Sequence, residues 1–276
     1  MPGKDILVVI DNAAAAARLL APAAALAKGY DGRVTGFFAT GLPAATSYGD
    51  LASGAQLIEA YMAAQRDEAV RAEAAFRQEL GRLQLSGNWL SREADITESV
   101  VEVGRLYDLV VVGQVDPDAD TTMPRALPED LVMTLGRPVL MVPYAGMFAA
   151  FDHVLVAWNG AREAARALFD AMFIIERADA VTVIEVELPG SPEAQPNHAT
   201  ADVVAALKRR GVEATAEPTV TDGTPVADIL LSRAADLTAD LIVMGAYSHS
   251  RLRELVLGGT SRSIFQEMTV PVLMSH

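Results

Sequence analysis

Apolar positions along this chain fall in short unbroken runs and seldom alternate with polar ones. Ile6-Leu-Val-Val-Ile10 is ended by Asp11, Leu109-Val-Val-Val112 by Gly113, and Leu241-Ile-Val-Met244 by Gly245. Runs of this kind mark strands covered by helices on both faces, as in a parallel sheet. In the C-terminal half the pattern predicts strands near 153–158, 180–186, 213–217, 240–244 and 271–275. Helices are predicted between them, near 161–177, 199–210, 225–236 and 261–268. Short strands alternating with helices give a doubly wound α/β sheet. Residues 50–86, rich in Ala, Glu, Arg and Leu, predict one long helix with Leu57, Tyr61, Leu80 and Leu83 spaced for a single face. That face serves packing within its own domain or, alternatively, a partner.

The runs repeat. Ile6-Leu-Val-Val-Ile-Asp11 lines up with Val154-Leu-Val-Ala-Trp-Asn159, and Asp108-Leu-Val-Val-Val-Gly113 with Asp240-Leu-Ile-Val-Met-Gly245. Arg137-Pro-Val-Leu-Met141 matches Val270-Pro-Val-Leu-Met274. Three matched blocks in one order describe a duplicated unit, with the join near Tyr144–Asp152. The spacing is shorter in the second copy, and the long helix of the first absorbs the difference. Two Val-Leu-Met strands at sheet edges would pair the copies as an intramolecular pseudo-dimer, since edge strands seek partners. A homodimer is a further option.

Composition narrows the functional classes. In 276 residues, 22 Lys and Arg face 36 Asp and Glu, a net charge of -14. That field repels nucleic acid and anionic lipid, so an anionic ligand must be held by a local device. With no cysteine, thiolate metal sites, disulfides and cysteine nucleophiles are excluded. The first apolar run is too short for a signal peptide, and no run reaches the roughly 18 residues of a spanning helix. The expected location is cytoplasmic.

On a doubly wound sheet, ligands bind beyond the carboxyl ends of the strands where chain order reverses. In the second copy those loops are Asn159-Gly160-Ala161 and Gly245–Ser261. The latter ends in Gly258-Gly-Thr-Ser261 ahead of a helical stretch, a phosphate cradle of glycines, hydroxyls and free helix amides. Arg251, Arg253 and Arg262 against Glu254 reverse the global charge locally. His249 is placed to touch a phosphate from this loop, the plainer reading being an exposed loop residue. The first copy keeps Asp11, but after Gly113 it has no glycine until Gly136 and five acidic residues against Arg125. That half is expected to be structural.

Together, Val154-Leu-Val-Ala-Trp-Asn-Gly160, Ala239-Asp-Leu-Ile-Val-Met-Gly245, Gly245–Ser261 and Val270-Pro-Val-Leu-Met274 resemble the universal stress protein (UspA-like) family, here as a tandem two-domain member. The likeness spans 152–276 and, more faintly, 4–143. It implies two doubly wound, Rossmann-like domains of the adenine nucleotide alpha hydrolase type, with strand order 3-2-1-4-5. They would occupy residues 1–146 and 151–276. It implies a stress-response regulator that binds ATP or AMP, with magnesium, in its C-terminal domain. Nucleotide-binding members carry Gly-x2-Gly-x9-Gly-Ser/Thr. Here Gly245 is the first glycine, Ser248 stands at the second, Gly258 is the third, and Gly259 replaces the hydroxyl residue, with Thr260 and Ser261 beyond. Asn159 stands where many members have Asp. The implied nucleotide-binding set is Asn159, Gly160, Ala161, Gly245, Ser248, His249, Arg251, Gly258, Gly259, Thr260 and Ser261. The alternative is a non-nucleotide interaction or chaperone-like scaffold of the same fold.

Other chemistries lack parts. Counting from Asp116, the spaced carboxylates Asp116, Asp118 and Asp120 begin a calcium loop, but its required Gly is Thr121 and its bidentate Glu is Leu127. The four histidines, His153, His198, His249 and His276, show no ligand spacing. No Gly-x-Gly-x-x-Gly, Gly-x4-Gly-Lys-Ser/Thr or Gly-x-Ser-x-Gly is present. Without the phosphate-reaching lysine, weak ATP hydrolysis is the most the loop would support, and no catalytic residue is assigned.

Overall fold

The computed structural model describes residues 3–41, 51–116, 118, 124–187, 198–221, 223–246 and 259–276. The chain divides into two compact units, 1–137 and 138–276. In the first, strands β1 (Asp5–Val9), β2 (Arg33–Ala39), β3 (Gly87–Arg92) and β4 (Leu109–Gly113) run parallel in the order β3-β2-β1-β4. Leu7 pairs with Thr35 on one side and Val110 on the other, so β1 is central, and Ile6, Leu7 and Val8 are wholly buried. The helices are α1 (Ala16–Gly29), entered through a 3-10 turn at Ala13–Ala15, α2 (Leu51–Arg82), α3 (Ile96–Gly104) and α4 (Leu127–Thr134). Helix α1 buries Leu19, Leu20, Ala23, Ala24 and Ala27, an alanine-rich stripe that lets the helix lie close to the strands.

The long helix exists, but of its expected face only Leu80 is buried. Met62, Gln65, Ala72, Phe76 and Leu80 are buried, whereas Leu57 is 60% exposed and Leu83 lies beyond the helix end. Spacing alone did not distinguish these stripes, because both have helical periodicity. Phe76 anchors the face: its ring centroid is 5.3 Å from that of Trp89 on β3. Gly36 on β2 makes room for the indole, since a Cβ there would come within 2.5 Å of the Trp89 ring. Truncating Phe76 to Ala would cost about 3–5 kcal/mol on the usual scale for buried aromatics. Strand β3, Gly-Asn-Trp-Leu-Ser-Arg, went unseen in the sequence because it is a mostly exposed edge strand without an apolar run.

The second unit holds β5 (Val139–Val142), β6 (His153–Ala157), β7 (Ala180–Glu187), β8 (Ala214–Val220), β9 (Leu241–Gly245) and β10 (Val272–Ser275). Their order is β5-β10-β9-β6-β7-β8. Strands β8-β7-β6-β9-β10 stand in the expected 3-2-1-4-5 order, and the difference in detail is a sixth strand, β5, beside β10. Strand β5 runs antiparallel to β10, with Val272 opposite Met141 and Met274 opposite Val139, while the other pairs are parallel. The physical reason is the apolar character of both Val-Leu-Met strands, which an open edge would leave unpaired. The helices are α5 (Arg162–Asp170), α6 (Met172–Ile175), α7 (His198–Lys208), α8 (Val226–Asp236) and α9 (Gly259–Glu267). The single helix expected over 161–177 is two, parted at Ala171.

The Asp shared by the matched blocks has a structural job in each unit. Asp240 carboxylate oxygens accept the amides of Asp152 at 2.8 Å and His153 at 3.0 Å, fastening the start of β6 to β9. Asp108 likewise accepts the Asp5 amide at 3.0 Å, at the start of β1. Among the described residues no helix is long and apolar enough to cross a membrane.

Candidate functional site

The register Ala157 with Met244 sets the carboxyl ends of β6 and β9 side by side. Strand β7 lies on the far side of β6, so the chain leaves β6 in one direction and returns beside it from the other. This is the reversal point at which ligands sit on such sheets. Asn159, Gly160 and Ala161 follow β6 there, and Gly245 ends β9. Asn159 Oδ1 accepts the Ala161 amide at 3.1 Å. Gly160 has a φ of +73°, a left-handed conformation that glycine adopts without strain, and it faces open space. Asn159 and Gly160 are exposed.

The glycines of the expected motif divide into two kinds. A Cβ on Gly245 would lie 2.4 Å from the Ala164 nitrogen and the Glu163 carbonyl carbon, so this glycine admits the backbone of α5. Its demand is helix-on-strand packing. Gly259 meets nothing within 4 Å and opens α9, whose first turn also contains Thr260 and Ser261. The helix thus starts two residues earlier than the sequence pattern predicts, and the Ser261 side chain is buried at 4% exposure. Ser248, His249, Arg251 and Gly258 lie outside the described residues, as does Asp120 of the calcium-like run.

Three residues that the motif does not include shape this end of the sheet. Trp158, whose amide donates to the Ile184 carbonyl at 2.8 Å, holds a buried indole Nε1 with no hydrogen-bond partner. A buried donor left unpaired costs roughly 1–3 kcal/mol. Glu163, 6% exposed, accepts from Arg162 Nε. Burial works to raise its carboxyl, but hydrogen bonds from Arg162 and its own backbone amide, with the fields of Arg162 and His276, outweigh burial and hold it below the ordinary range. His276 Nδ1 sits 3.0 Å from the Ala246 carbonyl, an acceptor, so that nitrogen carries the hydrogen. Below them Asp170 Oδ2 accepts both Ser275 Oγ at 2.9 Å and Arg166 Nε at 2.7 Å. A buried carboxylate opening a helix was legible as Glu in the first turn after Asn-Gly. The orphan indole had no sequence signal.

The matching place in the first unit is filled by charged side chains. A Cβ on Gly113 would lie 3.3 Å from the Arg18 guanidinium. Burial lowers the Arg18 pKa, opposed by Asp11 and Asp116 nearby. Asn12 Oδ1 accepts the Ala15 amide at 2.9 Å, and Glu68 Oε1, from α2, accepts the Ala13 amide at 2.7 Å. Asp116 Oδ1 accepts the Asp118 amide at 3.0 Å, a local turn within the acidic run.

Residues 150–276 match the model of the Universal stress protein family. A curated universal stress protein of Synechocystis sp. is 26% identical over 171 residues, 60% of this chain and 57% of that protein. The match thus spans less than two thirds of the length of that relative. Among solved structures, the crystal structure of a universal stress protein from Archaeoglobus fulgidus DSM 4304 aligns with a TM-score of 0.75 at 17% identity, covering 99% of this chain and 96% of that one. A functionally unknown protein from Pseudomonas aeruginosa PAO1 aligns at 0.61 and 16% identity, over 99% of this chain and 92% of that one. At such identities the structural likeness concerns the fold.

Proposed function

With residues 150–276 a universal stress protein domain, we propose that this half binds an adenine nucleotide, ATP or AMP, and that occupancy biases the conformation or partners of a stress-response regulator. The observation that carries the reading is the reversal point between β6 and β9, where Asn159-Gly160-Ala161 emerges beside Gly245. Three features support it. Gly160 and Gly259 face open space, so backbone amides can approach a phosphate. Helix α5 begins at Arg162, after Ala161 as its N-cap residue, with no side-chain cap beyond the Asn159 bond. The Trp158 indole offers an unsatisfied donor beside Asn159.

The binding set is Asn159, Gly160, Ala161, Ser248, His249, Arg251, Gly258, Gly259, Thr260 and Ser261, with Gly245 in the packing role that keeps α5 in place. Ser248, His249, Arg251 and Gly258 belong to the set through their place in the loop sequence alone. The first unit, whose corresponding loop is acidic, serves as a structural partner domain, and the protein acts from the cytoplasm. No residue is assigned a catalytic role. Isothermal titration with ATP and with AMP, magnesium present, tests the reading. Heat on mixing and a raised melting temperature are expected; neither at millimolar nucleotide would remove it, in favour of a scaffold of the same fold.

A further inference from the structure

The first unit presents a similar loop after its first strand, but the amide there is engaged by a side chain of a distant helix. Ala13 N–H donates to Glu68 Oε1 at 2.7 Å across 55 positions of sequence. The other oxygen, Oε2, accepts from Arg71 Nε at 2.9 Å, one turn along α2. Each carboxylate oxygen therefore has a donor, and the group is fixed in direction as a bound anion would be. Its side chain is 22% exposed against 61% for Arg71, so the ion pair faces water while the amide bond is sheltered. Burial works to raise the Glu68 carboxyl, but the Ala13 amide and Arg71 outweigh it and keep the charge in place. Beside it, the Arg18 guanidinium lies over Gly113 in the field of Asp11 and Asp116.

We propose that Glu68 is a built-in anion of the N-terminal unit: its carboxylate occupies the Ala13 amide as a ligand would, and so straps the long helix α2 across the head of α1. The unit is then held permanently in a ligand-bound form, with Arg18 in the crevice set against its own Asp11 and Asp116. Backbone amides at the start of a helix lack partners within it, and a carboxylate is the natural group to take them. Among its described residues the second unit shows no such device. Its α7 has 11 residues against 32 in α2, and the corresponding Ala161 amide is taken locally by Asn159.

Hydrogen exchange on the full-length protein tests this with Glu68→Ala and Glu68→Gln. In Glu68→Ala, exchange across residues 11–20 and 60–76 should rise about tenfold or more, as expected for a lost charge-assisted bond, with 150–276 unchanged. Glu68→Gln keeps a neutral acceptor and should fall between that variant and the parent. Unchanged exchange in both segments of a folded Glu68→Ala protein would overturn the proposal, as would a rise spread evenly over both units. If Glu68→Ala does not fold, the parent decides: slow exchange at the Ala13 amide supports the strap, and exchange at the rate of an unstructured amide overturns it.

Discussion

The amides of Ala13 and Ala161 stand at matching places, each two residues after the polar residue that ends the first strand of its unit. One is held by a carboxylate 55 positions away, the other by the side chain of its own loop. The long-range bond ties a loop to a helix and takes up the Ala13 amide. The short-range bond leaves Asn159 and Gly160 exposed. The two units present similar loops, and in the first the long helix α2 reaches the loop through Glu68. The same contrast recurs at the ends of β4 and β9. Gly113 faces the tip of the Arg18 side chain, whereas Gly245 faces the backbone of a helix.

The glycine pair offers the sharpest break. Gly245→Ala drives a methyl into the backbone of Glu163 and Ala164, which cannot move without α5, and should cost the second unit about 3 kcal/mol or more. Gly113→Ala asks only that Arg18 swing aside and should cost under about 1 kcal/mol. Chemical denaturation of each variant against the parent measures both; equal losses would mean that the two strand ends are not differently enclosed.

Next in size is the ion pair that buried Glu163 makes with exposed Arg162. Because its folded pKa lies below the unfolded value of 4.5, its contribution is fully present above that value and is lost as pH falls through the folded pKa. Glu163→Gln should destabilise by about 1–3 kcal/mol at neutral pH, with the gap to the parent closing in acid. Asp240 behaves oppositely. Burial, opposed by the amides of Asp152 and His153 and reinforced by the Asp152 charge, raises its pKa, so the ionised form is penalised above the folded pKa. The penalty fades as pH drops towards 3.8. Asp240→Asn, which keeps one acceptor oxygen for two amides, should cost about 1 kcal/mol near neutrality, with its deficit widening towards acid, and Asp108→Asn, whose remaining oxygen can still accept its one amide, should cost less. Thermal melts of the three variants at stepped pH read these signs directly, and parallel curves for Glu163→Gln and Asp240→Asn would contradict the assignment.

Much of the fold was legible because buried parallel strands write themselves as apolar runs. The runs Ile6–Ile10 and Leu241–Met244 became β1 and β9 almost residue for residue. Strand β3 was missed because an edge strand with Asn88, Ser91 and Arg92 carries no such run. At the site, Asn159 and Gly160 were found from position on the sheet alone, and they stand at the reversal point. Gly245 was read as a phosphate glycine, yet the space it saves is taken by α5, because one sequence requirement, no side chain, serves two neighbours equally well. Glu68 was invisible for a deeper reason. Helical periodicity tells which residues share a face, but not which loop that face will meet.

The antiparallel pairing of β5 with β10 bears on how this molecule can be dissected. The family match begins at residue 150, while the strand that covers β10 ends at Val142. A truncation made at the homology boundary would strip Val272, Leu273 and Met274, wholly buried in the intact chain, of their neighbour along one side. Such a fragment would present a bare, greasy ribbon with dangling amides and carbonyls, and self-association or precipitation would follow from the cut and not from any lack of folding information. Beginning the fragment at Pro138 would carry the covering strand along.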